Sequence, residues 1–257
     1  MPRRVPIARL RIHNAIVDRL GLSGGDVLLD VGCGNGLTMA TAATRVPGLV
    51  LLGHDLDGEA LAEAASWLAE IGARHQLVRA DLDSPLPLAD GSVTHVVCHD
   101  VLECLAQPLG LVAEAARVLR AGGVAVWSHV DYDSVVIAGA DRSRTRRMAH
   151  AYADLPRDGI RTDPQMGRNL AGLLAKGPLV RTGADASVLV ATELAGPAGH
   201  RIEDMVSALR RGARAGRSAV DEEDVERWRA ELVAADERGE FFYAQTAYLV
   251  TAVKPPV

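Results

Sequence analysis

A chain of 257 residues suits one α/β domain with an appendage, and 48% hydrophobic residues with only 4% aromatics imply a core built from Leu, Val and Ala. The formal net charge of −5 gives no general attraction to nucleic acid, and no apolar run approaches the roughly 20 residues of a membrane span. The N-terminal MPRRVPIARL is basic but has no apolar stretch of secretory type, and Cys33, Cys98 and Cys104 form no CxxC pair, so reduced thiols in a cytoplasmic protein are expected.

In chain order, Ala8–Leu20 reads as an N-terminal helix. Val27–Val31 (VLLDV) is a short apolar, β-rich run and predicts a buried strand. Leu37–Arg45 follows as a helix, Leu49–Gly53 as a second strand, and Gly58–Ile71 has apolar residues at helical spacing. Gln76–Ala80 and Val93–Cys98 are the third and fourth strands. Leu109–Leu119 is a helix closed by Ala121-Gly122-Gly123, before a fifth strand at Val124–Val130. This alternation predicts a doubly wound parallel sheet with right-handed crossovers. After Asp133 the rhythm breaks. Ser143–Asp154 reads as a charged helix, Leu155–Gly167 as a loop rich in Pro, Gly and Asp, and Asn169–Lys176 as a helix. A strand at Ser187–Leu194, helices at Ile202–Gly212 and Asp221–Glu237, and a final alternating strand at Phe241–Val253 complete the chain.

The run Asp26–Gly36 (DVLLDVGCGNG) carries chemistry. A strand running through a Gly-rich turn into a helix sets bare backbone and free N–H groups against a ligand. Dinucleotide sites place glycine at the first, third and sixth positions. Here Leu37 stands at the sixth, which argues against an ordinary dehydrogenase. Asp55 falls just past strand two, where an acid accepts two ribose hydroxyls. Asp81 falls past strand three, where an acid meets the exocyclic amine of adenine, with Leu82 offering backbone and an apolar face. All three features sit at the C-terminal ends of successive strands and converge on one crevice.

VLLDVGCGNG (Val27–Gly36), LGHDLD (Leu52–Asp57), RADLDSPLPLADGSV (Arg79–Val93) and LRAGGVAVWSHV (Leu119–Val130) resemble the class I S-adenosylmethionine-dependent methyltransferases, from about Ser23 to Val130. The resemblance implies a seven-stranded Rossmann-like sheet whose last strand is antiparallel, filled here by Phe241–Val253. It implies S-adenosylmethionine as cofactor, held by Asp30, Gly32, Gly34, Asp55, Leu56, Asp81, Leu82 and His99. Asp30 has a second reading, as a cap on the glycine turn. The sequence departs from the family at strand four, where DGSVTHVV (Asp90–Val97) puts Val93 in place of an aromatic and Thr94 in place of an acid.

Methyl transfer from a sulfonium is an in-line displacement, so the protein chiefly aligns the acceptor and excludes water, with a base only where the acceptor keeps its proton. His99 and Asp100, after strand four, face the crevice either as support for the cofactor loop or as catalytic groups. After strand five, His129 is the candidate base and Asp131 its partner, against the alternative that His129 only hydrogen-bonds at the strand end. Tyr132 and His150 are candidate substrate contacts. No Cys/His cluster has metal-ligand spacing, so no metal is expected. The cluster Arg142, Arg144, Arg146 and Arg147 reads as a solvated helix face, as an anion site for a substrate carboxylate or phosphate, or as a nucleic-acid patch, the acidic net charge counting against the last.

The sequence is thus read as a single methyltransferase domain over 1–257, with an N-terminal lid helix in 1–22 and helical cap segments at 134–186 and 195–239. The expected activity is methyl transfer to an oxygen or nitrogen of a small-molecule metabolite, in secondary-metabolite biosynthesis. Neither nucleic acid nor membrane is expected as a partner, and a homodimer through the cap is compatible with the pattern. The alternatives are a non-methylating reaction on the same fold, such as a cyclisation, and an RNA or protein methyltransferase.

Overall fold

Runs of Leu and Val without a polar face form strands covered on both sides. In the computed structural model, which describes residues 7–155 and 163–256, β1 (Val27–Val31) lies between β2 (Val50–Asp55) and β4 (Val93–His99), all parallel. β3 (Arg74–Arg79) flanks β2, and β5 (Leu119–Val130) flanks β4, again in parallel. β8 (Phe242–Val253) completes the order β3-β2-β1-β4-β5-β8, and β7 (Val180–Ala191) pairs with it. The last strand runs antiparallel, as expected for a Rossmann-like methyltransferase sheet.

The chain divides into two compact units. The sheet unit holds Ile12–His129, Met166–Ser187 and Tyr248–Val257. Alternate strand residues feed two cores. Leu28, Leu51, Val97, Val126 and Leu249 pack with Ile16, Val17 and Leu20 of α1 (Ile7–Leu20) and with α2 (Leu37–Arg45) and α3 (Gly58–Glu70). Leu29, Val31, Val96, Ala125, Trp127 and Val250 pack with α4 (Pro108–Val118) and α6 (Met166–Leu174). The helical unit centres on Val130–Gln165 and Val188–Ala247. There α5 (Arg142–Ala153), α7 (Gly196–Arg214) and α8 (Glu222–Glu237) enclose Met148, Met205, Leu209, Trp228 and Tyr243, and the Trp228 indole donates to Thr145 Oγ1 at 3.2 Å. β6 (Val136–Ala138) pairs antiparallel with the first residues of β8.

Several boundaries differ from the sequence expectation. α4 ends at Val118, and β5 begins at Leu119, so Ala121-Gly122-Gly123 lies inside extended chain. Gly122 adopts φ 74° and donates to Lys254 O at 2.9 Å, tying the start of β5 to the end of β8 rather than stopping a helix. α6 starts at Met166, inside the expected loop Leu155–Gly167, of which residues 156–162 lie outside the described residues, as do 1–6 of the expected lid. α7 starts at Gly196, six residues early, because Pro197 is tolerated in a first turn. Thr94 has a structural use: its hydroxyl donates to Val27 O at 3.0 Å and accepts from Val27 N at 2.9 Å, tying β4 to β1. Among the described residues no helix is long and apolar enough to cross a membrane.

The segment after β3 is held by one arginine. Arg117 donates to Leu86 O, Leu88 O, Asp90 and Glu114, while Glu114 also accepts from Leu86 N at 2.7 Å. The Arg117 hydrogen bond is the main cause holding the Glu114 carboxyl below its ordinary value of 4.5. A depressed acid stabilises the fold above its unfolded pKa and loses that contribution as pH falls. Arg117→Ala should therefore cost about 2 kcal/mol at neutral pH. Thermal melts should show the gap to wild type narrowing once Glu114 protonates; a gap that is constant between pH 7 and pH 3 would contradict this account.

Candidate active site

The turn after β1 brings three left-handed glycines together, each for its own reason. Gly32 has φ 77°, and an added Cβ would lie 2.1 Å from Val101 Cγ2. Gly36 also has φ 77°, and its Cβ would lie 2.9 Å from Ala64 Cβ, so this glycine lets α3 pack against the start of α2. That close approach is the task of the sixth-position glycine in dinucleotide sites, performed here one residue earlier. Gly34 has φ 49° and nothing within 4 Å of where a Cβ would stand. Its missing side chain opens space along the backbone, the cradle that an extended ligand requires.

Asp55 fixes this turn. Its Oδ2 accepts the Gly34 N–H at 2.7 Å and its Oδ1 the Asp57 N–H at 2.9 Å, while Gly32 N and Cys33 N donate to His54 O at 2.7 and 3.1 Å. Each carboxylate oxygen keeps a further lone pair for a hydroxyl donor. Beside it, Leu56 leaves its side chain 60% exposed, an apolar surface at the end of β2. Asp81 is exposed two residues past β3 and accepts from Asp83 N at 3.0 Å; Leu82 is buried in the adjoining core.

Asp30, on β1, is 2% exposed. Among the described residues no donor hydrogen-bonds its carboxylate and no cation pairs with it. Burial, reinforced by the charge of Asp55, pushes its pKa from 3.8 up to about 8. The alternative sequence reading, a cap on the glycine turn, finds no hydrogen bond among the described residues. A buried carboxylate without a counter-charge is costly unless a bound cation completes it. An amino-acid ammonium with a ribose and an adenine behind it supplies what Asp30, Gly34, Asp55, Leu56 and Asp81 lack, so these residues fit S-adenosylmethionine.

The ends of β4 and β5 bring histidines and carboxylates together. His129 is 0% exposed, with Nδ1 3.5 Å from Asp100 Oδ1 and Nε2 3.9 Å from Glu103 Oε1. His99 Nδ1 contacts Ser128 Oγ at 3.2 Å, and its Nε2 lies 3.7 Å from Asp100 Oδ2. The His13 ring stands edge-on to His99 at 5.4 Å and meets Thr38 Oγ1 at 2.9 Å. Asp100 has φ 55°, a left-handed conformation that no other non-glycine residue among those described adopts. Such strain gathers at functional sites. Here it turns one carboxylate toward two imidazoles. Sequence reading placed Asp100 in the crevice but did not single it out as the partner of His129, and it missed Glu103 and Val101.

Asp131, the expected partner of His129, is fully buried and caps the turn Tyr132–Ser134 by accepting from Asp133 N at 3.0 Å. Tyr132 and His150 come together in the helical unit, in a cleft of about 490 Å³ lined also by Val135, Val136, Ile137, Arg142 and Arg146. The arginine cluster divides. Arg144 pairs with Asp224 and Glu231, and Arg147 with Asp224, whereas Arg142 and Arg146 line the cleft.

Comparison with known proteins agrees with this geometry. A family model described as a methyltransferase domain matches residues 29–127. An uncharacterised 37.1 kDa protein in transposon TN4556 of Streptomyces fradiae is 31% identical over 250 residues, 95% of this chain and 67% of that protein. A ubiquinone biosynthesis O-methyltransferase of Aromatoleum aromaticum (strain DSM 19018 / LMG 30748 / EbN1) is 30% identical over 118 residues, 45% of this chain, and the match spans only 48% of that enzyme's length. A crystal structure from Bacillus halodurans C-125, provisionally assigned as a methyltransferase, shares the fold with a TM-score of 0.63 at 17% identity, covering 95% of this chain and 99% of its own. The chain belongs to the class I S-adenosylmethionine-dependent methyltransferases, and S-adenosylmethionine is its cofactor.

The state of Asp30 is open to measurement without ligand. An acid whose pKa rises on folding weakens the fold as pH climbs from its unfolded to its folded value. Wild-type protein should lose stability between about pH 4 and about pH 8, up to several kcal/mol at ~1.4 kcal/mol per unit. Asp30→Asn should not, so its advantage in chemical denaturation should grow across that window. An advantage independent of pH would show that Asp30 is not a buried, uncompensated acid.

Proposed function

We propose that this methyltransferase acts on an oxygen or nitrogen of a small-molecule metabolite, as an enzyme of biosynthesis. The observation that carries the reading is the cleft of about 490 Å³ where Tyr132 and His150 meet, within the roughly 300–1,000 Å³ of small-ligand sites. The net charge of −5 and the pairing of Arg144 and Arg147 with acids speak against a nucleic-acid groove. The similarity to a ubiquinone biosynthesis O-methyltransferase points the same way.

In this reading Asp30 holds the cofactor's ammonium, the turn Gly32–Gly34 lies along its methionine portion, Asp55 accepts the ribose hydroxyls, and Asp81 with Leu56 and Leu82 frames the adenine. The bound cofactor supplies an electrophilic methyl group. His99 lies near the methionine end. His129, enclosed between Asp100 and Glu103, orients Asp100 and, through it, His99.

Calorimetry tests the cofactor assignments. S-adenosylmethionine should bind wild type with micromolar Kd, and Asp55→Ala should weaken it more than tenfold. Because Asp30 is protonated below about pH 8 before an ammonium arrives, binding at pH 7 should release close to one proton, read from titrations in two buffers of different ionisation enthalpy. Asp30→Asn should release none. Equal proton release from both proteins would remove Asp30 from the ammonium site.

Acceptor screening with S-adenosylhomocysteine release as readout tests the activity. Phenols, amines and hydroxy acids should support stoichiometric release, while RNA and protein substrates should not. Given an acceptor, His129→Gln should lower kcat about tenfold and leave the cofactor Kd within threefold. An unchanged kcat would reduce His129 to packing, and the absence of release with any small molecule would overturn the proposed substrate class.

A further inference from the structure

Arginines in the helical unit are mostly committed to neighbouring acids. Arg144, Arg147, Arg210, Arg214, Arg227, Arg229 and Arg238 each pair with a carboxylate. Arg142 and Arg146 do not: among the described residues neither pairs with an acid. They stand one turn apart on α5, the i and i+4 positions of one helix face. That face opens on the 490 Å³ cleft, while Arg144 and Arg147 turn to α8. In a chain of net charge −5, two unpaired guanidiniums on one wall of a cavity are a local reversal of sign.

The rest of the lining defines what accompanies the charge. Val135, Val136, Ile137, Ala138 and Ala140 supply apolar surface, with Val136 57% exposed in β6. His150 and the Tyr132 ring complete the cleft. Among the described lining residues Asp133 is the one carboxylate, and Asp133 Oδ2 already accepts from Gln165 Nε2 at 3.1 Å. Two guanidinium forks beside an apolar wall match an oxyanion on a hydrophobic body, since each fork offers paired donors to a carboxylate or phosphate.

We infer that the acceptor is an acidic amphiphile, an apolar metabolite bearing a carboxylate or phosphate that Arg142 and Arg146 bind in this cleft. The inference rests on the small-molecule reading above and narrows it to one substrate class. It settles the three readings of the arginine cluster by residue: Arg144 and Arg147 brace the fold, and Arg142 and Arg146 take the anion.

The test uses the full chain with S-adenosylhomocysteine added, whose own binding is recorded first. Benzoate, phenyl phosphate, inorganic phosphate and benzyl alcohol are titrated by calorimetry. Benzoate or phenyl phosphate should bind more than tenfold tighter than benzyl alcohol, and the better of the two identifies the oxyanion. Arg142→Gln and Arg146→Gln should each weaken that probe about tenfold. Arg211→Gln, in a separate cleft of about 650 Å³ with Arg201 and Arg217, should leave it within twofold. Equal affinity for benzyl alcohol, loss only in Arg211→Gln, or no probe binding to a chain that binds S-adenosylhomocysteine would each overturn the inference. Inorganic phosphate matching phenyl phosphate would overturn the apolar half of it. Failure of the small-molecule reading shows elsewhere, as no S-adenosylhomocysteine formed from S-adenosylmethionine with any metabolite despite intact probe binding.

Discussion

A hydrogen bond of 2.7 Å from the Gly34 amide to Asp55 is the constraint on which the cofactor crevice depends. It ties the turn after β1 to the end of β2, and it does so through a left-handed residue. The same carboxylate accepts the Asp57 N–H, and Asp57 in turn caps α3 through Glu59 N and Ala60 N. α3 then returns Ala64 to Gly36, so turn, strand end and helix form a closed circuit. Each link is backbone to carboxylate or glycine to Cβ. The crevice therefore keeps its shape without relying on a long, mobile side chain, which is what pre-organised binding needs.

The two units handle charge in opposite ways. In the sheet unit Asp30 is buried and, among the described residues, unpaired; after burial it raises the Cys33 thiol as well, so that sulfur stays a thiol. In the helical unit most arginines are already paired with acids of α7 and α8, while Arg142 and Arg146, without an acid partner among the described residues, line a cleft. Uncompensated charge in a folded protein is expensive and persists where a ligand supplies the missing sign. On the assignments proposed above, one unit takes a cation and the other an anion.

Local features were legible in the sequence and long-range ones were not. β1, β2 and β4 announced themselves as apolar runs, and the final strand by alternation. Asp30, Gly32, Gly34 and Asp55 sit within a few residues of those runs, so a linear pattern locates them. β6 was not visible, because three residues between a turn and a charged helix carry no period. The first half of β7, Val180–Ala186, is polar and exposed and lacks an apolar signal. The glycines after α4 looked like a helix stop and proved to lie in a strand. Asp100 was unreadable as the His129 partner, because its orientation comes from a positive φ, a conformation uncommon for a non-glycine residue and not marked by the local pattern. Glu103 meets His129 only through the pairing of β4 with β5. The division of the arginine cluster likewise required knowing which face of α5 turns to α8.

Asp30, the glycine turn and Asp55 would grip an ammonium, an extended aliphatic chain and a ribose. None of these groups changes when the methyl leaves; only the positive charge at sulfur disappears. A crevice that recognises the cofactor by its unreacting ends would hold the spent form nearly as well, so the proposed contacts carry product inhibition with them. On those contacts, departure of the demethylated cofactor, and whatever removes it from the surroundings, would weigh on turnover alongside the displacement itself.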